Sequence, residues 1–166
     1  MNIDNIFLWL IQVEKKFDSS KPVSESYFDR VIYTGYKKYN LYTKTSLLYS
    51  ILLLYRLTRA PDEYRTQQKI YDPASCYSPI PTNQKYPTLQ LTRENFKKIW
   101  TVCLMIASKF VDDGHYDNET YAGLTHSSLR ELNKWEINIL NTLRYNLYFK
   151  PDELDEIYDL IEEEIK

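Results

Sequence analysis

The chain has 166 residues, 43% of them hydrophobic and 15% aromatic, enough for one self-sufficient core and against a wholly disordered chain. Lys plus Arg number 21 against 23 Asp plus Glu, a net charge of −2. The doublets Lys15-Lys16, Lys37-Lys38 and Lys97-Lys98 are scattered, so a sequence-independent nucleic-acid binder is disfavoured. The two cysteines, Cys76 and Cys103, fit neither a disulfide framework nor a metal spacing. The apolar runs Phe7 to Ile11 and Leu47 to Leu57 are too short for a signal peptide or for a membrane span of about 20 residues. The expectation is a soluble protein of a reducing compartment, cytoplasm or nucleus, without membrane partners.

The 3.6-residue period runs along most of the chain. Ile3, Ile6, Phe7, Leu10, Ile11 and Phe17 predict an amphipathic first helix, closed by the turn-like Asp18-Ser19-Ser20-Lys21-Pro22. Tyr27, Phe28, Val31, Ile32, Tyr36 and Tyr39 mark a second. Thr43 or Thr45 can cap a third, running to about Thr58 and apolar nearly all round, which suits the middle of a bundle. From Arg59 to Leu91 the period vanishes, and the segment holds five of the seven prolines. Loops of that length are uncommon inside compact domains, so it reads as an insertion; its Ser78-Pro79 is a weak phosphorylation motif.

Thr92 is expected to cap a long helix reaching Asp112, with one apolar stripe through Phe96, Ile99, Trp100, Cys103, Leu104, Ala107, Phe110 and Val111. A second stripe, Val102, Met105 and Ile106, ends in Lys109. A loop from Asp113 to Asn118 leads to a brief helical turn at Glu119 to Ala122. Ser128-Leu129-Arg130-Glu131 is a capping box; it opens a helix whose stripe of Leu132, Ile139, Leu140 and Leu143 contains Glu136. Pro151 starts the last helix, with Leu154, Ile157, Tyr158, Ile161 and Ile165 on its apolar face. The fold class is all-α, with one long proline-rich loop.

Enzyme chemistry finds little support. No phosphate-cradling glycine loop, no GxSxG elbow and no HExxH occurs, and His115 and His126 leave few options for acid–base work. Asp112, Asp113, His115, Asp117 and Glu119 are grouped but lack the glycine and terminal bidentate glutamate of a calcium loop. They read as a solvated, helix-terminating turn, with no metal and no cofactor. Lys109 and Glu136 say more, because each is a charge on an otherwise apolar stripe and a buried charge needs a partner. Either they pair with each other or with solvent at the core's edge, or they frame an apolar patch that another protein covers. In the second case the lysine donates to, and the glutamate accepts from, a partner's main chain.

The run Cys103-Leu-Met-Ile-Ala-Ser-Lys-Phe-Val-Asp-Asp113, then Tyr116-Asp-Asn, Tyr121-Ala122, Glu131-Leu-Asn-Lys-Trp-Glu136 and Leu143-Arg-Tyr-Asn-Leu147 resembles a cyclin box. It is most similar to the small P/U-type cyclins, whose fungal members partner phosphate-signalling kinases. The resemblance implies a single five-helix box over residues 23–150, with 59–91 as an insertion, an N-terminal helix and linker over 1–22, and a C-terminal helix over 151–166. It implies no catalysis of the chain's own, but a regulatory subunit that binds and activates a cyclin-dependent Ser/Thr kinase. On that basis Lys109 matches the lysine that bonds backbone near the kinase's regulatory helix, and Glu136 its companion; Ile106, Leu140, Tyr145 and Leu147 fall where apolar contacts to that helix are placed. The family's Tyr-Ile-Asp-Arg-Leu reads Leu53-Leu54-Tyr55-Arg56-Leu57 here, so an acid that braces the first box helix is replaced and Tyr55 stands in its place. The family's Gly-Gly after Tyr-Ala is also lost, and no Met-Arg-x-x-Leu docking motif occurs. The rival reading is a cyclin-fold scaffold or adaptor that activates no kinase.

Overall fold

The computed structural model describes residues 2–17, 35–58 and 95–166. The expected helix from Tyr27, apart from its last residues, the insertion 59–91 and the Thr92 cap lie outside them. Among the described residues the regular elements are all helical: α1 (Ile3–Phe17), a π-helical turn (Gly35–Tyr39), α2 (Lys44–Thr58), α3 (Phe96–Val111), α4 (Asn118–Thr125), α5 (Leu129–Thr142) and α6 (Pro151–Ile165).

The centre is the α2–α3 pair. Leu47, Leu48, Tyr49, Ile51, Leu52, Leu53, Leu54 and Leu57 of α2 are all buried, as expected for a helix with no polar face. In α3 burial is unbroken from Ile99 to Ser108. The two run antiparallel: the Thr43 hydroxyl at the start of α2 donates to Asp112 at the end of α3, 2.6 Å away, and Ser108 donates to the same carboxylate at 3.0 Å. The buried hydroxyls of Ser50 and Thr101 are satisfied locally, by the carbonyls of Leu47 and Lys97, so these two carry no desolvation penalty into the core. Thr43 is the cap of α2; its hydroxyl accepts from the Ser46 amide while the Ser46 hydroxyl accepts from the Thr43 amide.

α4 and α5 pack on α3, and α6 packs on α2 and α1. α1 and α6 run parallel. The Asn2 amide donates to the Tyr158 hydroxyl at 2.7 Å and the Trp9 indole to Glu164 at 2.8 Å. Ile3, Ile6, Phe7 and Leu10 face the core, as do Ile157 and Ile161 from α6. The second expected helix is described only at its end, which is a widened turn. Asn40 in the left-handed region (φ 53°) closes it, and the Leu41 amide bonds back to the Gly35 carbonyl at 3.2 Å. A Cβ on Gly35 would lie 3.1 Å from the Leu41 side chain, so the closed turn favours glycine there.

One element is longer than its sequence suggests. The brief turn expected at Glu119 to Ala122 is an eight-residue helix. Asp117, grouped with the acidic turn in the sequence, is its N-cap, accepting from the Thr120 amide at 2.9 Å and the Thr120 hydroxyl at 2.8 Å. His126 ends it in a left-handed conformation (φ 53°).

A candidate docking site at the junction of α3, α4 and α5

The Ser128 cap, whose hydroxyl accepts from the Glu131 amide at 3.2 Å, fixes where α5 begins and so which residues face α3. Leu132 and Ile139 point into the core, and Glu136, between them in sequence, faces the last turn of α3. There the Lys109 ammonium donates to Glu136 Oε1 at 2.6 Å. Both side chains straddle the surface, 29% exposed for Lys109 and 16% for Glu136, so water screens the pair only in part.

Two asparagines complete the cluster. Asn118, the first residue of α4, donates from Nδ2 to Glu136 Oε2 at 2.7 Å and to Asn133 Oδ1 at 2.7 Å. Each carboxylate oxygen of Glu136 therefore holds a donor from a different helix, which restricts its rotamers. Asn118 is itself held by the Asp117 cap. The Thr120 amide and then the Thr120 hydroxyl, both donating to Asp117, hold that carboxyl below its ordinary value. The ammonium has three N–H donors, of which Glu136 Oε1 takes one; it can bind a further carbonyl that approaches from solvent.

Both helices also carry an exposed apolar side chain directly after the charge in sequence, Phe110 after Lys109 and Ile137 after Glu136; the Phe110 ring tilts against Tyr49 of α2, 6.1 Å between centroids. Leu140, one turn beyond Glu136, is half-buried against the core. Ile106 stands apart from the other sequence-derived contacts. At 3% exposure it belongs to the core and supports the surface from beneath, because Lys109 one turn later is where α3 emerges.

Tyr145 and Leu147 lie past the end of α5. Arg144 and Tyr145 are both left-handed, with φ of 52° and 57°, a conformation that costs roughly 1–2 kcal/mol per non-glycine residue. The Tyr145 amide bonds the Leu140 carbonyl at 2.9 Å and the Asn146 amide bonds that of Leu143 at 3.0 Å. The turn leaves Tyr145 62% and Tyr148 64% exposed, with Leu147 half-buried between them.

Sequence reasoning missed Asn118, Asn133 and Arg56 as parts of this region. The Arg56 guanidinium donates to the carbonyls of Asn146 at 2.9 Å and Tyr148 at 3.1 Å. It also stacks 3.7 Å above the Phe149 ring and lies 3.6 Å from Glu153. Burial pulls its proton affinity down while Glu153 raises it. The signals in the sequence were an arginine interrupting an apolar helix and its match to the arginine of the family's Tyr-Ile-Asp-Arg-Leu. Tyr55, beside it, is exposed; residues 27–34 of the helix that the replaced acid would brace lie outside the described residues.

The acidic turn is used structurally. Asp112 ties α2 to α3 and Asp117 caps α4, and among the described residues no three His, Cys, Asp or Glu side chains are grouped to hold a metal ion. Cys103 is fully buried and its thiol is pushed up by desolvation, which makes it a poor nucleophile. Among the described residues no helix is long and apolar enough to cross a membrane.

Comparison with known families matches residues 15–147 to Cyclin. Among curated proteins, the chain is 36% identical over 63 residues to Cyclin-U1-1 of Arabidopsis thaliana, covering 38% of this chain and 30% of that protein. It is 27% identical over 81 residues to Cyclin-U4-1 of the same plant, covering 49% of this chain and 40% of the relative. The matched stretches thus span less than half the length of either relative. No solved structure matches. The family match takes in both members of the ion pair, the asparagines that hold it and the left-handed turn, and on that extent of agreement the chain belongs to the cyclin family.

Proposed function

We propose that this cyclin is the regulatory subunit of a cyclin-dependent Ser/Thr kinase and docks on it through the face that carries Lys109 and Glu136. The observation that supports the reading is their 2.6 Å ion pair, partly exposed and pinned by Asn118. Exposed Phe110 and Ile137 follow the two charges in sequence on the same helices, and main-chain-seeking charges on helices that also carry uncovered apolar side chains suit a helix arriving from another protein. Lys109 donates to carbonyls at the end of the kinase's regulatory helix and Glu136 orients that ammonium. Leu140, Tyr145 and Leu147 contribute apolar contact, with Ile106 as support beneath them.

Activation follows from differential affinity. A kinase samples states with its regulatory helix out or in, and only the inward state forms the Lys–Glu pair that positions ATP phosphates. A subunit that binds the inward state more tightly shifts the population by that difference and no more.

The test is co-purification. The tagged chain is co-expressed with a panel of cyclin-dependent kinases, and each recovered complex is assayed for phosphate transfer to a generic Ser/Thr peptide. Stoichiometric recovery of a kinase with a large gain in activity supports the reading. Recovery without activation would favour a scaffold, and recovery of none would refute kinase docking.

A further inference from the structure

We infer that Arg56 is a positioning residue for the partner-facing turn at residues 144–148: from the last turn of α2 its guanidinium holds the turn in the conformation that presents Tyr145 and Tyr148. The assignment builds on the kinase-docking reading above and extends it to a residue with no place on the docking face.

Four observations converge on one side chain. Arg56 donates to the Asn146 carbonyl at 2.9 Å and to the Tyr148 carbonyl at 3.1 Å, two peptide groups on either side of Leu147. Its guanidinium lies flat over Phe149 at 3.7 Å, and Phe149 is itself buried with its ring edge-on to Tyr49, 5.2 Å between centroids. Glu153, 3.6 Å from the same guanidinium, also accepts from the Lys150 amide at 2.7 Å and so closes the first turn of α6. Immediately upstream stand two consecutive left-handed residues, Arg144 and Tyr145.

A strained backbone persists only where its surroundings over-determine it. Here the turn's own amides bond back to α5, and Arg56 supplies the fixed points on its far side. Hydrogen bonds from a charged donor are roughly twice as strong as neutral ones, and a planar fork reaches two carbonyls while stacking on a ring, which a lysine does not reproduce. With its side chain only 13% exposed, Arg56 offers a partner little surface. Its effect on docking has to travel through the turn. The two tyrosines, more than half exposed, are large, rigid groups whose contribution depends on where the backbone aims them.

Two measurements on the full chain test this, using the kinase recovered by co-purification as the probe. In the free protein, Arg56→Met should accelerate amide hydrogen exchange at Tyr145 and Asn146 by about tenfold or more, with α3 unchanged. In the complex, Arg56→Met should speed dissociation by about tenfold, and that effect should vanish in a Tyr145→Ala, Tyr148→Ala background, because the two changes break one route. Unchanged exchange at the turn overturns the assignment. So does a dissociation effect that adds in full to the tyrosine double variant, the signature of a purely structural role. If no kinase is recovered, the docking reading fails and the partner half of the assignment fails with it, whereas a recovered kinase insensitive to Arg56→Met overturns this inference alone.

Discussion

Helices α3 and α5 have similar lengths, 16 and 14 residues, and opposite roles. Eleven residues of α3 are buried, against two of α5, Leu132 and Ile139. Helix α3 is the hub on which α2, α4 and α5 pack, and it reaches the surface only at its ends, at Lys97 and Lys98 and again from Lys109. Helix α5 touches that hub along one edge and α4 along another, and leaves the rest of its circumference open. A helix buried all round can do little but hold others in place, whereas one committed along a narrow stripe keeps a face for recognition. The Lys109–Glu136 pair sits where the two meet.

The contrast can be broken at either helix. Leu104→Ala in the middle of α3 should cost about 2–5 kcal/mol of stability, read by denaturant unfolding. A loss below 1 kcal/mol would mean that α3 is not the hub described. Tyr121, on α4 and buried against α3 beside Ser108, has its phenol pushed up to about 12 by burial. The unfolded chain loses that proton near 10 while the folded chain keeps it. The stabilising difference is thus fully present below pH 10 and lost as pH rises through about 12, on the order of 2 kcal/mol in all. Tyr121→Phe should flatten that part of the stability–pH curve. Asn118→Ala, which leaves Glu136 Oε2 and Asn133 Oδ1 without their shared donor, should cost about 1–2 kcal/mol and weaken kinase binding without unfolding the chain. Ile137→Ser on the open face of α5 should change stability by less than about 0.5 kcal/mol, while still reducing partner affinity.

Much of this architecture is legible in the sequence where a periodic signal exists. The stripes of α1, α5 and α6, the Ser128 cap and Pro151 at the start of α6 predict elements found where expected. Lys109 and Glu136 stand out because a charge interrupts an apolar stripe, and their pairing, one of two open alternatives, is present at 2.6 Å. Helix α4 is underestimated because Asp117 looks like one more acid in a solvated turn, and its capping role needs the Thr120 amide in place. Asn118 and Asn133 leave no trace in a hydrophobicity pattern. Their function appears only when α3, α4 and α5 bring together residues far apart in the chain. Arg56 escapes for the same reason, with its carbonyl partners 90 and 92 residues away. Ile106 carries the opposite lesson: an apolar residue one turn before an exposed charge belongs to the core.

The most direct measurement is kinase binding by the double exchange Lys109→Glu plus Glu136→Lys. Both charges survive with their positions reversed, so the internal pair is retained and only the Asn118–Glu136 bond is lost, while an arriving main chain meets an acceptor where it needs a donor. The account predicts a thermal midpoint lowered by no more than the loss of the Asn118 bond, about 1–2 kcal/mol, and affinity for the co-purifying kinase reduced by roughly thirtyfold or more, equivalent to the loss of one desolvated charged contact. Wild-type affinity in the exchanged protein would contradict it.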